Sequence, residues 1–468
     1  MKNVLRISFL FVLFSSLLFP VSFSQPSARL KYASRVDRDG WICVHLEGTP
    51  SDIGFQHGYL LAEEIDDALL MMKSFLKGST GKDWAFYRDA AKRMFVPKLG
   101  EEYGVEMQGI VDGLAARDKR YDLVDIAALN GWMELAWYYV PYLANKVKAD
   151  SILNKAPGNC SAFIATGSYT ADGRIVMAHN TWVEYLVGER WNIAADIVPA
   201  RGHRIMMDAF PGFIHSGDDF AINDAGILIT ETTITGLRVF NEQGTPEFVR
   251  MRRAAQYAGS IDEFVELMSG DNNGAYGNTW LVGDLKSNEI AKFDLGLRNQ
   301  RLWRTKDGVF VGANFGTDEK LLKEETTFNA GDSTNSPNSR RARWDQIMLK
   351  FKGSIDAEAA KQFLGDHMDV HQGKDANNRC VLCGHADEDP LGIPEWSNPA
   401  YYPVGATSGK VTTAALASEL KFWGRMGHPC GQDFIVSTFL AKHPEYRWME
   451  PGFRDMKSYP WTLLRAKR

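Results

Sequence analysis

Cysteine is scarce in this chain, with five residues in 468 (Cys43, Cys160, Cys380, Cys383 and Cys430), too few for a scaffold stapled by disulfides. No long cluster of lysine and arginine breaks the balance of 53 basic against 58 acidic side chains, a net charge of −5. Phosphate backbones therefore find no extended electrostatic footprint, and nucleic acid is not an expected partner. Beyond the first apolar run there is no second one of membrane-spanning length, which excludes a polytopic membrane protein. Internal repeats are absent, as is any glycine-rich segment with nucleotide-binding spacing, and no cofactor is expected. What is present, 45% hydrophobic and 24% charged residues, is the composition of a globular protein with a sizeable core.

Lys2 and Arg6 precede an apolar run from Ile7 to Phe19, followed by Pro20 and the small residues Ser22 and Ser24. This is the pattern of an export signal removed before Gln25. The run is shorter than the roughly 20 residues that span a bilayer. The mature protein is expected to be secreted, periplasmic or lumenal, without a transmembrane anchor. An odd number of cysteines in an exported chain leaves at least one thiol unpaired, a candidate reactive group.

Apolar residues recur at helical spacing through Gly58–Leu76, Trp84–Leu99, Tyr103–Ala116 and Leu123–Val140. The paired acids Glu63-Glu64 and Asp66-Asp67 fall on the solvated face of the first of these. Ser151–Asn159 reads as a loop. Short β-type runs then follow at Ser161–Thr166, Arg174–His179, Trp191–Val198, Arg204–Ala209, Phe220–Ile222, Ile227–Thr233 and Thr279–Val282, with helices expected over Glu247–Ser269, Arg340–Phe351 and Ala357–His367. Asn329–Ser339 and Gln372–Pro394 read as long surface loops. Strand blocks alternating with helix blocks predict an α+β fold with helices on sheet faces.

Cys160 opens a strand directly after a flexible loop. If the Asn159–Cys160 bond were cut, one residue would supply a thiol nucleophile and, in its freed α-amine (pKa about 7.7–8.0), the base that deprotonates it.

The motifs around it are ordered: Cys160-Ser161-Ala162, Ala178-His179-Asn180-Thr181-Trp182, Phe210-Pro211-Gly212, Ser216-Gly217-Asp218-Asp219-Phe220 and Glu231-Thr232-Thr233. Together they resemble the phospholipase B-like family of N-terminal nucleophile hydrolases. Asn273-Gly274-Ala275-Tyr276-Gly277-Asn278-Thr279-Trp280 looks like that family's Asn-Ser-Gly-Thr-Tyr-Asn-Asn-Gln-Trp element, preceded by Arg250, Arg252 and Ala255. The family's central Asn-Asn is Gly277-Asn278 here, so only Asn278 carries over. Gly405-Ala406-Thr407 to Lys410 and Pro460-Trp461 are looser matches, and the chain is shorter than typical animal members. Penicillin acyltransferase-type cysteine peptidases share the architecture, and Cys383-Gly384-His385 is similar to a pattern of that second group.

The resemblance implies a four-layer α/β/β/α sandwich and self-cleavage at Asn159–Cys160. The parts would be a signal (1–24), a helix-rich N-terminal piece (25–159) and a catalytic piece (160–468) that stay associated. It further implies hydrolysis of lipid acyl esters through a Cys160 thioester. N-acyl amide hydrolysis or acyl transfer is the alternative, and a silent binding protein of the same fold is a third. Cys160 is the expected nucleophile. His179 is expected near its amine, Asn278 at the oxyanion, Thr232 or Thr233 orienting the amine, Trp182 in the acyl pocket, and Asp218 and Asp219 on the site loop or in a solvated turn. Cys380-x2-Cys383-x-His385, with His428 and Cys430 later, offers thiolates and imidazoles at zinc-ligand spacing, but in an exported protein a disulfide among the three cysteines is at least as natural, and no metal is assigned. His367, His371, Asp366 and Asp369 read as surface polar groups.

Overall fold

The computed structural model describes residues 26–146 and 160–467. The expected export signal and the loop Ser151–Asn159 lie outside the described residues. Runs rich in β-branched and aromatic side chains pair into two large sheets. One has nine strands in the order Ser34–Arg38, Trp41–Gly48, Ile193–Pro199, Ile205–Ala209, Ala221–Asn223, Ile227–Thr233, Asn278–Asp284, Glu289–Leu295 and Gln300–Thr305. Its neighbours are antiparallel, except that Trp41–Gly48 and Ile193–Pro199 run parallel from the Ile42–Ile193 pair to Gly48–Pro199. The other sheet has six antiparallel strands in the order Gly308–Gly312, Cys160–Thr166, Val176–Glu184, Val404–Thr413, Lys421–Met426 and Thr462–Arg465.

Alternate residues of each strand face different cores. Ala162 and Ile164 meet Met177, Leu228 and Leu281 in a core to which both sheets contribute. Phe163, Ala165 and Ala178 turn the other way, onto Trp344, Ile347 and Phe363 of the helices Ser336–Lys350 and Ala357–Leu364. From the nine-stranded sheet, Ile227 and Ile229 point to a third cluster with Ile65, Leu69, Met107, Ile110 and Phe248 of other helices. The fold is therefore mixed α+β, and each Ile, Leu, Met or Phe side chain so removed from water contributes about 1.5–3 kcal/mol. The helices Pro50–Leu60 and Gly100–Ala115 touch backbone to backbone: a Cβ at Gly54 would stand 1.8 Å from Glu106 O, and one at Gly58 2.1 Å from Ile110 O.

Several expected elements differ. Two helices, Pro50–Leu60 and Ala62–Thr80, replace the one expected over Gly58–Leu76, because Leu61 leaves helical geometry at φ −114°, ψ 24°. The Glu247–Ser269 helix is likewise split, ending at Tyr257 and restarting at Ile261 where Ser260 Oγ accepts from Glu263 N. Helix Ser336–Lys350 begins inside the stretch expected as a loop, since Asn335 caps it and Pro337 suits its first turn. Gln372–Pro394 is not wholly a surface loop, because residues 380–387 are buried. The polar groups flanking them turn inward on one another: Asn378 Oδ1 accepts from Cys380 N, and Asp389 Oδ2 pairs with Arg379. Glu64, Asp66 and Asp67 pair with Arg35, Lys119 and Arg190, as suits a polar helix face. Among the described residues no helix is long and apolar enough to cross a membrane.

Candidate active site

Cys160 is the first residue of its strand, flanked by Gly308–Gly312 on one side and Val176–Glu184 on the other. Register places Thr181 opposite Cys160 and His179 opposite Ala162, while Lys410 lies across from His179 on the next strand. His179 thus stands inside its strand, which continues to Glu184, and not at its end. Side-chain donor atoms of Cys160, His179 and Glu231 all lie within 4.8 Å of one another, and Cys160 Sγ is 3.7 Å from Glu231 Oε1. A thiol, an imidazole and a carboxyl at this spacing suit acid–base chemistry and would also suit a thiophilic cation.

The main chain of Cys160 is held by two residues distant in sequence. Its N–H donates to Asn314 Oδ1 at 3.2 Å, and Asn314 Nδ2 donates to Thr233 O at 3.0 Å. Arg340 Nη1 donates to Cys160 O at 2.7 Å and Ser161 Oγ at 2.9 Å, while Nη2 reaches Asn314 Oδ1 at 2.8 Å. The same guanidinium lies 4.2 Å above the Trp182 ring, and burial pulls it down to about 9.

Burial, with the charges of Glu231 and Asp218, pushes the Cys160 thiol well above its ordinary range. Burial and then Lys410 pull His179 down to about 3, so the imidazole is neutral. Burial, then Asp219 and Asp218, raise Glu231 well above the carboxylate range. The imidazole and the thiol are therefore uncharged near neutrality, Glu231 is pushed toward its neutral form, and the thiol has no strong base beside it. Across from His179 lies a buried charged triad: Lys410 Nζ meets Asp208 Oδ2 at 2.7 Å and also bonds Asp218 and Thr181. Burial opposes ionisation of Asp218, but Lys410 outweighs it and holds that carboxyl below its usual range.

The other sequence-expected residues separate. Asn278 pairs with Thr233 across the strands, and its Nδ2 donates to Glu231 Oε2 at 3.1 Å and to Gly277 O at 3.2 Å. Thr233 reaches the Cys160 N–H through its carbonyl and Asn314, whereas Thr232 Oγ1 faces Gly312 without a hydrogen bond. Asp218 and Asp219 are buried, so they are not a solvated turn. Gly217 N donates to Asp219 Oδ1 at 3.1 Å, and Asp219 takes φ 57°. Trp182 is sealed, its Nε1 donating to Leu382 O at 3.2 Å, one ring behind Trp396 at 6.1 Å. Sequence reasoning gave no role to Glu231, Asn314, Arg340 or Lys410. Only Glu231 and Lys410 lay in quoted motifs; Asn314's left-handed φ of 67° leaves no sequence signal.

Buried acids set the pH response. Burial raises Glu134 and Glu184 to about 7, and burial together with Asp218 raises Asp219 to about 8. Unfolded, these groups ionise near 4, so the native state holds extra protons between. Their stabilisation is full below about pH 4 and lost as pH rises through 7–8. Buried histidines held neutral, His57, His179 and His215, act in the opposite sense below about pH 6.5, so the acid contribution is read as a difference: from pH 5 to pH 8.5 the stability of the wild type relative to Glu134→Gln in chemical denaturation is expected to fall by about 3 kcal/mol. A difference that stays constant or grows with pH would refute this.

The model of the family described as Phospholipase B matches residues 95–311, a span that holds Cys160, His179, Asp218, Glu231 and Asn278 and stops short of Asn314, Arg340 and Lys410. An uncharacterized protein of Archaeoglobus fulgidus is 30% identical over 274 residues, 54% of this chain and 42% of its own length. Putative phospholipase B-like 2 of Caenorhabditis elegans is 26% identical over 399 residues, 75% of this chain and 64% of its own. Human Phospholipase B-like 1 is 30% identical over 141 residues, 28% and 25% of the two chains. This chain thus spans less than two thirds of the length of the curated relatives it matches. The segment similar to the phospholipase B family runs through both sheets and the Cys160 cluster.

Proposed function

We propose that this chain is an exported, self-processing acyl hydrolase in which Cys160, freed as an N-terminus, attacks lipid acyl esters in the manner of a phospholipase B. The observation that carries the reading is the treatment of the Cys160 nitrogen. It is held by Asn314, itself fixed by Arg340 and Thr233, while the thiol beside it has only neutral partners. An α-amine at that nitrogen, with a pKa of about 7.7–8.0, is the base the thiol lacks. The three core clusters between and outside the sheets support the four-layer α/β/β/α sandwich.

In processing, Cys160 Sγ adds to the Asn159 carbonyl, the Asn159–Cys160 C–N bond breaks as the nitrogen takes up a proton, and Asn159 becomes a thioester. Water hydrolyses it, releasing the Asn159 carboxylate and restoring the thiol. In turnover the amine takes the thiol proton, the thiolate adds to the substrate carbonyl, and the amine returns the proton to the departing alcohol. Water then clears the acyl-thioester. Asn278 Nδ2, once turned from Glu231, donates to the oxyanion. His179 and Thr233 orient the amine through their places beside Cys160 and Asn314. A cleft of about 370 Å³ lined by Phe75, Trp132, Trp137, Trp396, Tyr402 and Trp448 suits an acyl chain. Trp396 packs on Trp182, and Trp137 lies 6.4 Å from Tyr276, whose Oη donates to Glu231 Oε1 at 3.3 Å.

The test is N-terminal sequencing and intact mass of the purified protein after incubation at mildly acidic and neutral pH, then a panel of phospholipids and N-acyl amides. A fragment beginning Cys-Ser-Ala-Phe with release of fatty acid from phospholipid is expected. Amide cleavage alone would move the substrate class to N-acyl amides, and a single inactive chain under every condition would overturn the proposal.

A further inference from the structure

On the outer side of the six-stranded sheet, away from Cys160, lies a second cluster of thiols and imidazoles. Donor atoms of His367, Cys383, His385 and Cys430 all stand within 4.8 Å of one another. His367 follows the helix Ala357–Leu364, Cys383 and His385 belong to the buried stretch 380–387, and Cys430 follows the strand Lys421–Met426. Three segments without regular structure thus converge on one point.

We propose that these four side chains form a tetrahedral zinc site that fastens the three segments together. Two thiolates and two imidazoles are a donor set that structural zinc selects. With zinc–sulfur bonds of about 2.3 Å and zinc–nitrogen bonds of about 2.0–2.1 Å, a tetrahedron has sulfur–nitrogen edges of about 3.6 Å. Cys430 Sγ lies 3.7 Å from His385 Nε2. The other edges need only rotamer-scale closure from the 4.8 Å limit.

The surroundings are those of a metal knot. Gln432 N donates to Cys430 Sγ at 3.4 Å, just after Gly431 turns the chain at φ 97°, a bond that stabilises a thiolate. The buried Nε2 of His367 has no hydrogen-bond partner of ordinary geometry. Gly365 lets the helix end abut Cys430, since a Cβ there would stand 3.2 Å from Cys430 Cα. A cavity of about 760 Å³ borders His385 and supplies an entry path.

The neighbours that spacing alone would enlist do other work. Cys380 Sγ points to Thr334 O at 3.9 Å, although Cys380-x2-Cys383 is the obvious pair. His371 Nε2 bonds Ser339 Oγ at 2.8 Å, Asp366 pairs with Arg343, and Asp369 accepts from His371 N at 2.8 Å. All five cysteines are free thiols in the structure. A Cys383–Cys430 disulfide, the rival chemistry, would leave two imidazoles packed around it with no ligand.

The site bears on the fold. Leu382 O, one residue from Cys383, accepts from Trp182 Nε1 and, at 3.1 Å, from Asn180 Nδ2, both on the strand beside Cys160. Gly384 packs flat against Trp182, where a Cβ would come within 2.1 Å of the ring.

The experiment is metal analysis of the full chain, dialysed against metal-free buffer and reloaded with zinc or cobalt(II). About one zinc per chain is expected, and the cobalt(II) protein should show the visible band of tetrahedral cobalt and a near-ultraviolet thiolate band. Cys430→Ser and His367→Ala should each lower zinc content at least about tenfold, while Cys43→Ser, remote from the site, retains it. Should those variants not fold, stripping zinc from the wild type with a chelator must lower the melting temperature, and zinc must restore it. Zinc well below one per chain after reloading, or a Cys383–Cys430 disulfide in the folded protein by peptide mapping, would overturn the proposal.

Discussion

Cys160→Ala is expected to remain a single chain and to lose acyl-hydrolase turnover by about 10³-fold or more, because it removes the thiol that, in the proposed mechanism, both cuts the chain and carries the acyl intermediate. Few of the residues around it should move. Cys160 is buried at a strand start with its main chain held by Asn314 and Arg340, and truncation leaves those bonds in place. Stability should change by about 1 kcal/mol or less, the scale of one small buried group. That separates loss of chemistry from loss of fold. Cys160→Ser keeps a nucleophilic oxygen and the same backbone, so slow processing is expected from it on denaturing gels. Turnover by Cys160→Ala within tenfold of the wild type would remove Cys160 from the mechanism outright.

The second large effect concerns stability. Lys410→Met is expected to destabilise the protein by about 3–5 kcal/mol, since breaking a buried ion pair strands its partners. Lys410, Asp208 and Asp218 are all shut away from solvent. Burial and the neighbouring Asp218 charge raise Asp208 far above its usual range, while Asp218 stays ionised against Lys410. The two carboxyls are thus pushed apart, Asp218 toward its charged form and Asp208 toward its neutral one. Methionine matches the length of the lysine stem and leaves the Asp218 charge bare. Urea titration of Lys410→Met beside Lys410→Met/Asp218→Asn measures this: the double variant should recover most of the loss. If the single substitution costs under 1 kcal/mol, Lys410 is not the counter-charge described.

How much of this could be read in advance depended on sequence distance. Ile227–Thr233 is a strand in sequence and structure because a β-branched run bounded by turns has few other solutions. Trp41–Gly48 was invisible, since Trp-Ile-Cys-Val-His-Leu has no alternation and belongs to a strand covered on both faces. Cys160 and His179 stood out because adjacent antiparallel strands bring a motif and its partner together within twenty residues. Asn314 and Arg340 come from far downstream, and their link to Cys160 is fixed by the pairing of Gly308–Gly312 with Cys160–Thr166 and by the packing of helix Ser336–Lys350 on the sheet. Likewise, spacing joined Cys380 to Cys383, whereas the fold joined Cys383 to Cys430.

The parallel pairing of Trp41–Gly48 with Ile193–Pro199 has a consequence for molecularity. These two strands lie on opposite sides of the Asn159–Cys160 bond, and the buried Arg252–Glu106 ion pair at 3.0 Å crosses the same divide. If that bond is cut as proposed, one continuous sheet belongs to two polypeptides, and the domain becomes an obligate heterodimer without gaining an interface. Unfolding of the processed form would then release two chains, its midpoint would rise with protein concentration, and refolding would become second order. The uncut chain would show neither dependence.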